Sequence, residues 1–395
     1  MNRRNLPKLP VYLDYQATTP TDPRVVEAML PYFTEKFGNP HSASHQHGRE
    51  AAVAIEQARA QVADLIGADA KEIIFTSGAT EANNLALKGV FHFLGNRRRH
   101  LITCATEHKC VLESARHLAS EGVDVTLLPV GHDGLIDLDR LSAAISERTA
   151  LVSIMAAHNE TGVIQPIAEI GALCRAKGAL FHTDAAQAVG KIVLDVEAMN
   201  IDLLSISGHK VYGPKGVGAL YVRRRPRVRL APIIDGGGQE RGLRSGTLPT
   251  PLCVGLGAAC AIAKVEMADE GARILLLRRR LYDRLRSGLG EIILNGSAER
   301  RLAGNLNVGF PVADGQAFLA EVPDLSLSLG SACTSAAVEP SYVLRAMGVP
   351  DAVANASIRV GLGRFTTEGE IDFAAEQLVA AAGRLRETAG RRSAG

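Results

Sequence analysis

The sequence predicts an α/β protein, with a large, mostly parallel sheet covered by helices and a smaller α+β unit after it. Three observations carry this. Up to about Thr250, short apolar runs alternate with amphipathic stretches. Each apolar run is followed by a polar segment, and three of the five contain glycine. Beyond Thr250 the alternation gives way to one long helical stretch and then to shorter pieces. Strand, helix, strand, helix is the pattern of a parallel sheet with helices on both faces.

Taken in order, Ile73-Ile74-Phe75 reads as a strand and residues 81–93 as the helix after it. His100-Leu101-Ile102-Thr103 is the next strand, with a helix over 109–120. Leu151-Val152-Ser153-Ile154-Met155 precedes a helix over 167–177. Ala179-Leu180-Phe181-His182 and Leu203-Leu204-Ser205-Ile206 are further strands, and 252–287 is a long helix. The division expected is a large unit over 15–260 and a small one formed by 1–14 and 261–395, the latter carrying the segment around Cys333.

Composition narrows the function. Apolar residues make up 46% and charged residues 22% of 395, ordinary globular values that exclude disorder, collagen and coiled coil. Lys plus Arg is 44 against 42 acidic residues, a formal charge of +2 that gives no drive toward nucleic acid or membrane. There is no Trp and only 4% aromatics, a poor base-stacking surface. The runs Arg97-Arg98-Arg99, Arg223-Arg224-Arg225 and Arg278-Arg279-Arg280 read as solvated surface rather than a nucleic-acid footprint. No run of 18 apolar residues appears, so no membrane span is expected. Arg3, Arg4 and Lys8 are not followed by the apolar stretch of a signal peptide. Six cysteines without a C-x-x-C pair fit free thiols in a reducing cytoplasm. Cys104, Cys110, Cys174, Cys253 and Cys260 have apolar neighbours and read as inert packing. Cys333, within Gly330-Ser331-Ala332-Cys333-Thr334-Ser335, has small polar neighbours and reads as a reachable nucleophile. His41, His45 and His47 match no zinc spacing, and no metal is expected.

In open parallel sheets, ligands gather at the carboxyl ends of strands. Thr76-Ser77-Gly78-Ala79-Thr80-Glu81 joins a strand to a helix and suits a phosphate, though a plain N-cap explains it equally when taken alone. No Walker loop and no dinucleotide glycine motif is present. Lys210, just past a strand in Ser207-Gly208-His209-Lys210, is placed to form a Schiff base. Asp184, after another strand, is placed to pair with a protonated ring nitrogen. His108 stands in a turn before a helix, where it can stack on a ring or shuttle protons. A lysine and an aspartate at neighbouring strand ends beside a phosphate loop form a constellation suited to pyridoxal 5'-phosphate.

These residues resemble the cysteine desulfurases of the NifS/IscS type, within the class V pyridoxal-phosphate-dependent aminotransferase superfamily of fold type I transferases. Similar segments run in order from Leu13-Asp14-Tyr15-Gln16 to Ser357-Ile358-Arg359. They include Thr106-Glu107-His108-Lys109, Asn159-Glu160-Thr161-Gly162, the Lys210 segment and the Cys333 segment. Two positions depart from the pattern: His158 and Leu329 stand where relatives often carry Asn and Ser. The resemblance implies that Lys210 anchors the cofactor, Asp184 pairs with its ring nitrogen, Gln187 bonds its ring hydroxyl and His108 lies over the ring. It implies phosphate contacts from Ala79, Thr80, Ser207 and His209, with Thr247 reaching across from the second subunit of a homodimer. Asn159 and Arg359 would fix the carboxylate of L-cysteine. Cys333 would take the substrate sulfur as a persulfide, releasing L-alanine. A sulfur-acceptor protein, either an iron–sulfur scaffold or a sulfur carrier serving cluster assembly or tRNA thiolation, would then be supplied. The resemblance also allows transient cluster ligation by Cys333 during delivery. Selenocysteine lyase, another pyridoxal-phosphate lyase or an aminotransferase is the alternative within enzymes. A sulfur-carrying module without catalysis is the alternative outside them.

Overall fold

A computed structural model describes residues 7–310, 315–330 and 340–393. The chain opens with β1 (Val11–Tyr12), α1 (Pro23–Met29), α2 (Pro31–Thr34) and α3 (Gln46–Ile66). There follow β2 (Ile73–Thr76), α4 (Ala79–Leu94), β3 (His100–Cys104), α5 (Lys109–Ser120), β4 (Asp124–Leu128) and α6 (Leu138–Ala144). Next come β5 (Thr149–Ser153), α7 (Ile167–Lys177), β6 (Leu180–Asp184), β7 (Leu203–Ser207) and β8 (Gly218–Val222). The remainder holds α8 (Thr250–Leu289), β9 (Ile293–Leu294), β10 (Asn305–Gly309), α9 (Gly315–Ala320), β11 (Leu325–Ser326), α10 (Tyr342–Ala346), α11 (Asp351–Asn355), β12 (Ser357–Gly361) and α12 (Glu368–Ser393).

Seven strands form one sheet in the order β2-β8-β7-β6-β5-β3-β4. The pairs from β4 through β3, β5 and β6 to β7 are parallel, and β8 runs antiparallel between β7 and β2. The sheet is therefore mostly parallel. Successive residues point to opposite faces, and both faces are apolar. Ile73 and Phe75 join Val152, Phe181 and Leu204 in a core shared with α3 and α8. Ile74 joins Leu101, Leu151 and Leu220 in a second core against α4 and α5. From β3 the chain steps outward to β4, then returns past β3 to build β5, β6, β7 and β8. That reversal opens a crevice beyond the carboxyl ends of β3 and β5.

The remaining strands form two small sheets, the antiparallel β12-β10-β9 and the parallel pair β1-β11. They pack with α12 into a separate apolar core. Helix α8 belongs to both cores: Leu256, Cys260 and Ala263 enter the first, and Ile274, Leu277, Leu281 and Leu285 the other. By length and composition alone α8 would pass for a membrane span. Its Cys253, Leu256 and Cys260 are instead fully buried in the protein interior.

The arginine runs differ from the expectation of solvated surface. Arg223 is only 2% exposed, and its guanidinium bonds Glu197, Asp202 and the Val196 carbonyl. Arg98 and Arg278 tie down the carbonyls of Gly178 and Leu302. His45 caps α3 by accepting the Gly48 N–H, and His47 stacks on Phe37, so two of the clustered histidines have structural work.

Candidate active site

A cavity of about 550 Å³ opens at the carboxyl ends of the large sheet. That volume suits a cofactor with a small substrate. The turn from β2 to α4 brings Ala79 and Thr80 to it, the turn from β3 to α5 brings His108, and the segment after β5 brings Asn159. The ends of β6 and β7 bring Asp184, Gln187, Ser207, His209 and Lys210, and β12 brings Arg359. Ten of the twelve residues expected from sequence thus share one cavity. Thr247 is exposed and does not line it. Cys333 lies outside the described residues. Gly330 lies nearby: a Cβ there would be 3.5 Å from Glu160 Oε1.

Helix α4 starts after Gly78, whose φ of +150° lies in a region that favours glycine. No side chain caps this helix, so its first N–H groups remain for an anion. At the end of β6 the Asp184 carboxylate accepts Asn83 Nδ2–H at 2.7 Å and the Ala186 N–H at 2.9 Å. These bonds hold it facing the cavity, placed to pair with a cationic ring nitrogen. Lys210 sits in a single 3₁₀ turn directly after β7, and its Nζ donates to the carbonyls of Gln16 and Ala17, both at 2.6 Å. Gln187 donates to the Gln16 carbonyl at 2.8 Å and accepts from Lys191 Nζ at 2.9 Å. Its amide is therefore already oriented.

Arg359 is 1% exposed. One guanidinium nitrogen is paired with Asp14 at 2.7 Å, and another reaches the Asn159 carbonyl at 3.3 Å. Its Nε has no partner among the described residues. A buried N–H without a partner is costly unless a ligand accepts it, and a carboxylate suits a guanidinium. The donor set thus fits pyridoxal phosphate with an amino acid. The α4 N-terminus, Ser207 and His209 would hold the phosphate, Asp184 the ring nitrogen and Lys210 the reactive carbon. Arg359 would hold the substrate carboxylate.

Burial sets the proton states around this set. It lowers His108, against the pull of Asp184 and with help from Lys210 and Lys109. It lowers His209 to about 4, again with Lys210 and Lys215 assisting, so that ring is neutral at pH 7. His158 is pushed down to about 4, accepts the Glu160 N–H at 3.0 Å and bonds the Thr106 carbonyl at 2.8 Å. The departure at His158 is thus a neutral structural bridge between two site loops. Glu107, fully buried, is pushed well above the ordinary carboxyl range by that burial.

One expectation is corrected. Cys104, Cys174, Cys253 and Cys260 are buried packing, but Cys110 is only partly buried and lines the cavity. Its sulfur lies 3.0 Å from His108 Nδ1 and 3.1 Å from Asn83 Nδ2. Sequence reasoning passed over Asn83 and Cys110. The available signal was spacing: Asn83 falls three residues past Thr80, on the same helix face, and Cys110 two past His108. Among the described residues no group of three or more His, Cys, Asp or Glu side chains is placed to hold a metal.

The geometry has counterparts among known proteins. The Aminotransferase class-V family matches residues 11–373. A cysteine desulfurase IscS of Rickettsia bellii is 59% identical over 379 residues, spanning 96% of this chain and 92% of that protein. Among solved structures, a NifS-like protein superimposes with a TM-score of 0.89 at 39% identity, covering 95% of this chain and all of that one (100%). SspA in complex with cysteine matches with a TM-score of 0.82 at 42% identity, over 90% of this chain and 100% of that one.

Proposed function

The chain belongs to the class-V aminotransferase family, and from that premise we propose how its own residues carry out the reaction. It is a pyridoxal-phosphate-dependent cysteine desulfurase, taking sulfur from L-cysteine and passing it to an acceptor. The observation that carries the residue assignments is the convergence of Lys210, Asp184, His108 and the half-satisfied Arg359 on one cavity.

The cofactor, when bound, withdraws electrons from the substrate α-carbon and so weakens the bonds to its α-hydrogen and, one carbon out, to sulfur. Arg359 Nε receives the substrate carboxylate and fixes its register. Asp184 keeps the ring nitrogen protonated, with its own carboxylate held by Asn83 and Ala186. Lys210 Nζ takes the α-proton and later returns one, held between uses by the carbonyls of Gln16 and Ala17. His108 Nε2 would supply a proton within the same cavity. Cys333, as thiolate, forms an S–S bond to the substrate sulfur while the carbon–sulfur bond breaks. The electron pair stays on the carbon skeleton, which is protonated and leaves as L-alanine. The products are alanine and a Cys333 persulfide, so atoms and electrons balance without an outside oxidant.

The exposure of Thr247 away from its own cavity supports a homodimer in which it completes the neighbouring site. The two apolar cores joined by α8 support a large unit over 15–260 and a small one from 1–14 and 261–395. We place the enzyme in the cytoplasm, and its sulfur in iron–sulfur cluster assembly or tRNA thiolation. Alanine release from L-cysteine with a thiol reductant, for the parent and Cys333→Ala, tests the assignment. Activity in the parent with its loss in the variant is the expected result. Equal release from both would remove Cys333 as the sulfur nucleophile.

A further inference from the structure

We propose that Cys110 is a positioning residue whose thiol holds His108 in the tautomer that carries its proton on Nε2. The inference rests on the reading of His108 as the proton donor of the site.

Asp184 is the first link of a hydrogen-bonded chain. Its Oδ2 receives Asn83 Nδ2–H at 2.7 Å. A carboxylate accepts and does not donate, so the amide nitrogen of Asn83, not its oxygen, must face it. The second hydrogen of that nitrogen goes to Cys110 Sγ at 3.1 Å. The sulfur accepts on that side; the Thr80 hydroxyl beside it can itself donate to the sulfur, and the thiol hydrogen then goes to His108 Nδ1, 3.0 Å away. Burial and the nearby Asp184 charge push the thiol up to about 12, so it keeps that hydrogen at neutral pH. His108 is also the N-cap of α5, and its Nδ1 accepts the Cys110 backbone N–H at 3.3 Å. With two donors aimed at Nδ1, the ring proton belongs on Nε2.

The chain Asp184–Asn83–Cys110–His108 thus links the group that pairs with the cofactor ring nitrogen to the group that lies over the ring. Its effect on charge can be worked out. Asp184 favours an imidazolium at His108, while Lys210, Lys109 and burial oppose it. The remaining neighbours are His158, lowered to about 4 by burial, and Glu107, raised by it. Adding a proton at Nδ1 would set N–H against both the thiol hydrogen and the Cys110 N–H. Cys110 therefore keeps His108 neutral and its one proton on the side where the proposed mechanism draws it.

The test uses apoenzyme labelled with ¹⁵N-histidine, with the His108 signals identified by their loss in His108→Gln. The parent should show the Nε2–H tautomer. Cys110→Ala leaves only the backbone N–H of residue 110 on Nδ1 and should raise the share of the Nδ1–H tautomer and the His108 pKa, and Cys110→Ser, which restores a second donor, should return both toward the parent. Asn83→Ala breaks the same chain one link earlier and should move the signals in the same direction, which covers a failure of Cys110→Ala to fold. In the cofactor-loaded enzyme, alanine release at pH 7 should fall roughly 10-fold in Cys110→Ala and recover in Cys110→Ser. An unchanged tautomer and pKa in Cys110→Ala and Asn83→Ala would overturn the inference. Full alanine release by His108→Gln would instead remove the reading beneath it, whatever the tautomer.

Discussion

Glu160 shows what a single buried group adds to this site. Its carboxyl is 1% exposed, and burial pushes it up to about 7, against the pull of Ser341 and Arg359. Between the ordinary carboxyl value and about 7, the native chain holds a proton that the unfolded chain has lost. Stability must therefore fall as pH rises through that window, and the full cost is felt above it. The cost is bounded by about 3 kcal/mol, the energy of the whole shift. Glu160→Gln, which has no charge to bury, should stabilise the protein at pH 8 and leave it unchanged near pH 4. Urea midpoints of parent and variant at both pH values measure this, and an equal difference at the two would refute it. The same scale explains what was legible in the sequence. Lys210, Asp184 and His108 each stand just past an apolar run, where a strand must end, so their convergence follows from topology. Asn83 lies inside a helix, and Cys110 within Lys109-Cys110-Val111-Leu112 reads as packing. Only the approach of α4 to α5 makes them part of the site. Gln187 was legible as a site residue, but its engagement by Lys191 and Gln16 was not, because those partners come from distant positions.

Among the elements, one of the strands that sequence reasoning omitted carries a strong constraint. Strand β8 lies between β2 and β7, and its first residue, Gly218, is in register with Thr76 on one side and Ser207 on the other. Both neighbours belong to the segments assigned to the phosphate. A Cβ at Gly218 would lie 2.6 Å from Gly78 Cα and 2.3 Å from the Ile206 carbonyl oxygen. Neither is a flexible side-chain tip, so the backbone of the anion loop must shift. Gly218→Ala should cost about 1–3 kcal/mol of stability and weaken pyridoxal-phosphate retention by roughly 10-fold. Cofactor release followed by absorbance, alongside thermal unfolding, reads both effects. Retention equal to the parent would show that the loop does not depend on this close approach. β8 was missed because it is an antiparallel return directly after β7, with no helix between them to mark it. β4 was missed for a different reason: it is the edge strand, mostly solvent-facing, and lacks the continuous apolar run of its neighbours. The helices were more readily seen, and α8 was expected over 252–287 against an observed Thr250–Leu289.

At the scale of the whole molecule, the segment before α8 decides whether one chain is a complete enzyme. Its base is pinned inside the protein. Glu240 receives both terminal nitrogens of Arg59, at 2.7 and 2.8 Å, and the Phe75 N–H at 2.7 Å. Arg59 and Glu240 are 3% and 6% exposed, and a buried bidentate pair of this kind fixes orientation firmly. From this anchor the chain runs out to the exposed Thr247, while Glu240 itself accepts the Phe75 N–H within β2. The exposed threonine thus has a rigid mount, and a second copy is its proposed target. Mixing two impaired variants tests this directly. In a hybrid of Lys210→Ala with Thr247→Asp, one site carries both defects. The other combines an intact Lys210 with an intact Thr247 from the opposite chain. If Thr247 serves its neighbour, unfolding and refolding the mixed variants should recover about a quarter of parent activity, because half of the dimers are hybrids with one working site. If Thr247 serves its own chain, each site in the hybrid carries one defect and mixing recovers nothing. The recovered fraction therefore reports on geometry alone, since both variants contribute the same chains before and after mixing.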